Sequence, residues 1–229
     1  MRPGRGAVVL LMAGLLSACG SGASLPSSAP ATRAPSTTAP PDTVPPAAPT
    51  TTDPGLLPPT TEEPPITGLP VGLAPLWTSV TTGDPAEGLA AFFPRSAYVR
   101  MKTGLLADPS SDYSTRLIAF YELDVGAYHA VLGTGALTAQ LESVNADPNL
   151  AAWIPPGACE NAIGYWHLPG VRLVYRDAAM VRSFAVASMI SWRGAWYVVH
   201  LGPNPRPANV GTVATPAVGP GTPGPGGGC

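Results

Sequence analysis

Residues 163–201 read IGYWHLPGVRLVYRDAAMVRSFAVASMISWRGAWYVVHL, and this stretch decides the fold. It holds the runs IGYWHL, VRLVYR, MVRSFAVASMISW and AWYVVHL, separated by Pro169-Gly170, Asp177-Ala178-Ala179 and Arg193-Gly194. Runs rich in β-branched and aromatic residues between turn residues are strands. Pro-Gly suits the centre of a type II turn, and Gly194 tolerates a positive φ. The expectation is an antiparallel meander. A two-residue loop at Arg193-Gly194 pairs Trp192 with Ala195, Ser191 with Trp196, Ile190 with Tyr197, Met189 with Val198, Ser188 with Val199 and Ala187 with His200. One face then carries Phe184, Val186, Ile190, Trp192, Tyr197, Val199 and Leu201 and reads as the main core. The other carries Ala185, Ala187, Met189, Ser191, Trp196, Val198 and His200, whose small members leave room for a packed helix or a cavity.

Upstream the pattern is helical. Asp84-Pro85-Ala86-Glu87 has the form of a capping box, with Asp as N-cap, Pro at the first helical position and Glu able to reach back. Leu89, Phe92 and Phe93 follow at i, i+3 and i+4, and Pro94 ends or restarts the element. Residues 97–102 fit a strand or a second helix equally. Asp112 can cap a longer helix, along which Leu117, Phe120, Tyr121, Val125, Tyr128, Val131 and Leu132 share one face, with Gly133 as its stop. Residues 137–144 read as a strand. Helices first and a sheet after predict an α+β fold, with the N-terminal helices packed on a curved antiparallel meander.

Outside this region the composition changes. The chain has 229 residues with 30 Pro and 26 Gly, about twice the usual share. Every Trp, Tyr and Phe lies between Trp77 and Tyr197, so the foldable part is one domain, set at residues 70–202. Residues 20–69 contain no aromatic and are dominated by Pro, Thr, Ala and Ser. Such a segment buries too little apolar area to offset its ordering entropy and reads as a stalk. Extended as polyproline at ~3.1 Å per residue, it reaches at most ~150 Å. Residues 203–229 have no periodicity and no collagen-like glycine repeat, so the tail is expected to carry no helix or strand. With 12 basic and 14 acidic residues, the formal charge is −2 and there is no basic face for nucleic acid.

The N-terminus carries an address. Met1 to Arg5 contains two arginines, and residues 6–16 (GAVVLLMAGLL) are uncharged and apolar. That run is too short to span the ~30 Å hydrocarbon layer of a bilayer and reads as a cleavable signal, residues 1–18. The residues that follow, Leu16-Ser17-Ala18-Cys19, resemble the lipobox of bacterial lipoprotein precursors. The resemblance implies that Leu16, Ser17 and Ala18 are recognised by signal peptidase II, and that the Cys19 thiol takes a diacylglyceryl group and becomes the first mature residue. Cleavage leaves 10 basic residues against 14 acidic ones, so the bilayer is held by acyl chains at ~0.8 kcal/mol per buried methylene rather than by charge. The expected location is the cell membrane, lipid-anchored and facing outside the cytoplasm. With Cys19 acylated, Cys159 and Cys229 form an even pair in an oxidising compartment and are expected to be disulfide-bonded.

The order of helices before a curved sheet, with a Trp-rich final hairpin, is similar to the cystatin-like group, including the cone-shaped folds of the nuclear transport factor 2 type. The whole layout, with its sole lysine Lys102, resembles uncharacterised lipoproteins of high-GC actinobacteria. Cone-shaped folds of that type often host dehydratases, isomerases and cyclases with a His or Asp base beside tyrosines. Tyr128, Met189, Trp196 and His200 are the residues expected around such a pocket, with His129 and Asp124 nearby. In the alternative, His200 packs against Trp196, and Asp124 and His129 face solvent. Tyr165-Trp166-His167 beside a turn fits either a binding surface or packing, and packing is the favoured reading.

No pair among His129, His167 and His200 has metal-ligand spacing on a helix, and no catalytic motif, Walker loop or zinc-ribbon spacing occurs. No cofactor, metal or catalytic residue is assigned. The functional expectation is a non-catalytic envelope lipoprotein domain on a stalk, binding a cell-wall component, an envelope protein or a small apolar ligand. The alternative is a small-pocket enzyme or carrier of the cone-shaped type.

Overall fold

A computed structural model describes residues 53–206, 208–225 and 227. All of them belong to the unit Pro49–Cys229. The fold is α+β, and its sheet is antiparallel throughout, with six strands: β1 (Gln140–Asn145), β2 (Ala152–Ile154), β3 (Tyr165–Asp177), β4 (Met180–Trp192), β5 (Ala195–His200) and β6 (Ala214–Val218). Helices α1 (Leu69–Thr82) and α2 (Arg95–Lys102) precede a long rod. In the rod α3 (Pro109–Asp112), a π-helical stretch (Tyr113–Ile118) and α4 (Ala119–Leu132) follow one another without a gap.

β3 and β4 form the spine, paired from His167↔Ile190 to Asp177↔Met180. Pro169-Gly170 is therefore not a turn between two strands, as its composition suggests, but a kink inside one. Gly170 takes φ +61, and the ladder omits the pair at that point. The kink also breaks the alternation of faces. Phe184 stacks on Trp77 of α1, and Met189 lines a crevice with Leu69 and Leu73 of the same helix. An unbroken strand sends residues five apart to opposite faces. The two-face division expected from the sequence thus fails twice, since Phe184 and Met189 both meet α1, and Val199 and His200 both line one cavity.

The β4–β5 hairpin has the predicted loop, with Arg193 at φ 51 and Gly194 at φ 77, the pattern of a type I′ turn. Its register follows expectation from Trp192↔Ala195 to Met189↔Val198. There a bulge intervenes, and Ser188 faces His200 rather than Val199.

The domain is larger than its composition suggests. The stalk expected to run through residue 69 ends earlier, because residues 53–65 wrap the tip of the β4–β5 hairpin. The Trp192 indole donates to Pro54 O at 2.9 Å, Trp166 to Thr61 O at 2.9 Å and Trp196 to Pro64 O at 2.9 Å, and Arg193 donates to Pro58 O. Proline gives up its N–H but keeps its carbonyl, so a Pro-rich strap is well suited to accept from indoles. α1 begins directly after it, with Leu69, Leu73, Leu76 and Val80 buried at helical spacing despite Pro75 inside.

The tail is corrected too. β6 pairs with β4 through Arg182↔Val218 and Ala185↔Ala214, and Pro216 sits on this edge strand where a missing donor is tolerated. Beyond it, Gly224 N donates to Gly170 O at 3.1 Å, and a Cβ on Gly170 would come within 2.4 Å of Gly224 N. Gly170 is needed for that backbone-to-backbone contact, whereas a Cβ on Gly224 would meet Leu150 Cδ1 at 2.4 Å.

The helices differ in detail from their predicted starts. Asp84 caps through Ala86 N, but the element Pro85–Ala91 is a 3-10 helix and leaves Leu89 46% exposed. Residues 97–102 belong to helix α2. The long rod is capped by Asp108, which accepts from Ser111 N, rather than by Asp112. Leu117, Tyr121, Val125, Tyr128 and Leu132 are buried as expected, whereas Val131 is 48% exposed.

Candidate functional site

α2, the beginning of the long rod, the 158–161 loop and strands β3, β4 and β5 enclose a cavity of about 220 Å3. α2 contributes Tyr98, Met101 and Lys102, and the rod contributes Asp112, Arg116 and Leu117. Arg116 and Leu117 lie in the π-helical stretch, a local widening that in helices often accompanies a functional site. The loop turns back under α2 with positive φ at Gly157, Cys159 and Glu160. It is pinned there, since Ala162 N donates to Met101 O at 2.7 Å and Lys102 Nζ donates to Cys159 O at 2.9 Å.

His200 reaches this cavity because of the β5 bulge. Bulges re-aim side chains, and this one sets His200 opposite Ser188 instead of Ala187. Ser188 in turn lies 2.7 Å from His167 Nε2. The His200 ring meets Asn204 Nδ2 at 3.2 Å through Nε2. An amide NH2 only donates, so His200 Nε2 accepts and its proton sits on Nδ1.

Electrostatics divide the lining in two. At one side Asp112 accepts from Arg116 Nε and Nη2, both at 2.7 Å, and from the Tyr98 hydroxyl. The Arg116 hydrogen bonds hold the Asp112 carboxyl below the usual range, and burial pushes the Tyr98 phenol up. That pair compensates itself. Deeper in, burial lowers both imidazoles, and His200 is pushed down to about 3 with the cations Arg116 and Arg206 adding to the effect. Burial also lowers Lys102, against an opposing pull from Glu160 at the rim. Near neutral pH the cavity thus presents two uncharged histidines.

Asn161 completes the floor. It is 4% exposed, and its Oδ1 takes no hydrogen bond from the protein. Its amide lies against the Tyr165 hydroxyl, opposing the rise that burial imposes on that phenol. A buried acceptor without a donor costs about 1–3 kcal/mol.

Of the four residues expected around a pocket, only His200 lines this cavity. Tyr128 is fully buried under the tail, where its hydroxyl meets Ala185 O at 2.6 Å and Leu201 O at 2.9 Å and accepts from Ala214 N at 2.9 Å. Met189 and Trp196 face α1 and the strap, on the other side of the sheet. Asp124 does not face solvent: it is 1% exposed and bound by Arg206 at 2.8 and 3.0 Å, Gly202 N at 2.9 Å and Thr212 N at 3.0 Å. His129 meets Val80 O at 3.0 Å, far from the cavity's lining.

In Tyr165-Trp166-His167, alternation sends Tyr165 and His167 into the cavity and Trp166 to the strap. Lys102, Arg116, Asn161 and Ser188 had no motif to announce them; the one signal was that Lys102 is the chain's sole lysine.

Cys159 is disulfide-bonded. Its expected partner Cys229 lies outside the described residues, as do Leu16, Ser17, Ala18 and Cys19. Gly227 donates to Ala187 O at 3.1 Å and sits against Asn204, which lines the cavity together with Cys159. Among the described residues no three His, Cys, Asp or Glu side chains are grouped to hold a metal ion. No described helix is long and apolar enough to cross a membrane. No family model, curated protein or solved structure matches the chain.

Proposed function

We propose that this protein is a lipid-anchored binding domain of the cell envelope, acylated at Cys19 and taking a small polar molecule into the cavity beneath α2. The anchor rests on the order of charge, apolar run and Leu16-Ser17-Ala18-Cys19. The binding role rests on one observation: a cavity of about 220 Å3 lined by Lys102, Arg116, Asp112, His167, Ser188 and His200. A mixed polar lining favours a polar ligand over the apolar one expected from the small residues of β4. The stalk of this reading comprises residues 20–52, which reach at most ~100 Å if extended as polyproline.

Two measurements test it. Intact mass spectrometry of the chain from its native membrane, before and after reduction and alkylation, should give a mature mass starting at acylated Cys19. Cys159 and Cys229 should take alkylating agent only after reduction. An unacylated chain removes the anchor. For the cavity, imidazole NMR signals of His167 and His200 should move when a library of small polar metabolites is added, and a library that moves neither removes the binding role.

A second reading has a specific support. The Ser188 hydroxyl and His167 Nε2 at 2.7 Å have the geometry of a nucleophile with its base. Among the described residues, however, no hydrogen bond orients His167 from its other nitrogen. Covalent labelling of Ser188 by a serine-directed phosphonofluoridate would favour this enzyme reading over simple binding.

A further inference from the structure

We infer that the tip of the β4–β5 hairpin is a docking site for proline-rich segments in the polyproline II conformation, and that its partner in trans is the strap, residues 53–65, of a second copy of the chain. The strap in place shows how the site reads such a ligand. Leu57 (φ −81, ψ 152) and Pro65 (φ −65, ψ 139) have polyproline II angles. That helix has three residues per turn. Residues 58, 61 and 64 keep this spacing, with a bend at Glu62 between the last two. Their carbonyls accept from Arg193, from the Trp166 indole at 2.9 Å and from the Trp196 indole at 2.9 Å. Upstream, the carbonyls of Pro54 and Leu57 accept from the Trp192 indole at 2.9 Å and from Arg100 at 3.0 Å. An aromatic surface that grips a preformed polyproline segment is an established mode of peptide capture.

The strap is also able to leave. Of residues 54–65 only Gly55 and Pro64 are buried, and segments with few buried apolar contacts open first. The bonds that hold it are made by main-chain carbonyls, which the strap of a second copy offers equally. Ile66–Gly68, between the strap and α1, is a 3-10 turn with no buried residue and serves as the hinge. Exchange of an element between identical protomers is a low-cost route to a dimer.

Charge selects the strap over the other proline-rich stretch of the chain. Residues 53–65 (DPGLLPPTTEEPP) carry three carboxylates and no base, and Arg100 and Arg193 receive them. Residues 20–52 carry Arg33 against Asp42 and have no net charge to offer.

The test uses two full-length variants, each keeping one half of the contact. Gly55→Val/Pro64→Asp spoils the strap, because a Cβ at position 55 would lie 1.9 Å from Ser96 Oγ and 2.3 Å from Ala97 N, and a carboxylate at 64 resists burial. Trp166→Phe/Trp196→Phe spoils the groove and keeps the strap. In the isotope-labelled strap variant, the indole N–H signals of Trp166, Trp192 and Trp196 should leave their wild-type positions. Trp77, packed against Tyr175 and Phe184, should hold its own and report an intact fold. Unlabelled groove variant should return the three signals towards wild type, as should a synthetic peptide of residues 53–65. The peptide with each proline replaced by alanine should act about 10-fold more weakly or worse, since it must be ordered on binding. Return by the peptide but not by the second chain overturns exchange between copies. No return by either, or equal action of the alanine peptide, overturns the site. A spin-labelled strap peptide added to the wild-type chain makes the same test without a variant: it should broaden the same three indoles and spare Trp77, and broadening of none overturns the inference.

Discussion

The two ends of the long rod handle buried polar groups in opposite ways. In α4, Asp124 is met by a guanidinium and two backbone amides, and one turn on, Tyr128 is met by two carbonyls and an amide. The segment after β5 supplies Gly202, Arg206, Thr212 and Ala214 to this knot, and Arg206 also stacks over Phe120 at 4.2 Å. At the other end, Asp112 and Arg116 satisfy each other beside a cavity that Lys102, His167 and His200 also line. Buried polar groups that close on one another fix the fold, because each would be costly alone. Among the described residues the knot leaves only Arg206 Nε without an acceptor, whereas the other end keeps a cavity lined by Lys102, Arg116, His167 and His200, and that cavity marks the candidate site.

The sharpest way to break this contrast is at the knot. Asp124→Ala leaves the Arg206 guanidinium buried without its carboxylate, and removing one partner of a buried pair costs ~3–5 kcal/mol. Urea unfolding should show that loss as a fall in midpoint at unchanged slope. Tyr128→Phe comes next. It strips the Ala214 amide of its acceptor and removes the one proton that the hydroxyl offers to Ala185 O or Leu201 O, for an expected ~1–3 kcal/mol in the same measurement. It should also raise amide exchange at β6, which hangs on that bond. A Tyr128→Phe protein with unaltered β6 exchange would show that the tail is held by other contacts.

Much of the knot was unreadable beforehand, and the reason is physical. Asp124 lies three residues after Tyr121 and four before Tyr128, on the face that periodicity buries, and only its charge argued for solvent; its partners come from a Gly/Pro-rich tail with no pattern of its own. The α+β class, the Arg193-Gly194 hairpin and the buried face of the rod were legible, because a period of two or of 3.6 residues is written directly into side-chain type.

Composition misled where backbone carbonyls do the binding. Residues 53–65 look like more stalk, yet their carbonyls receive the indoles of Trp166, Trp192 and Trp196. Pro169-Gly170 has turn chemistry, but the same positive φ serves a kink within β3. His200 reaches the cavity through the β5 bulge, which leaves no periodic trace. His200 was therefore singled out for a pocket, but with neighbours from the wrong face.

Acid sharpens the comparison from the cavity side. His167 and His200 are held uncharged by burial, with Arg116, Lys102 and Arg206 facing His200 and Ser188 and Asn204 on the two rings. An unfolded histidine binds its proton near pH 6.5, so both folded values are depressed and the unfolded state takes up protons first. Stability is then level above that pH and declines as the pH falls, by up to ~1.4 kcal/mol per pH unit for each histidine. For His200 the decline continues to about 3, where the folded form protonates as well. Asp112 adds its own loss only lower down, through the carboxylate range. His200→Gln should remove one histidine's share of the slope between pH 6.5 and 5, which thermal melts across that range would measure. An unchanged slope would place the titration elsewhere.

The smallest effect is the most telling. Asn161→Ala also deletes a buried polar side chain, one as well covered as Asp124, but its Oδ1 has no partner to abandon. Two opposed terms set the outcome. Loss of side-chain packing and of the contact with Tyr165 is unfavourable, while release from an unpaired buried acceptor is favourable by about 1–3 kcal/mol. They nearly cancel, and the urea midpoint should move by no more than the equivalent of ~0.5 kcal/mol, with a gain as acceptable as a loss. A drop as deep as that of Asp124→Ala would mean that Asn161 is a structural member of the fold and that the two ends of the rod are alike.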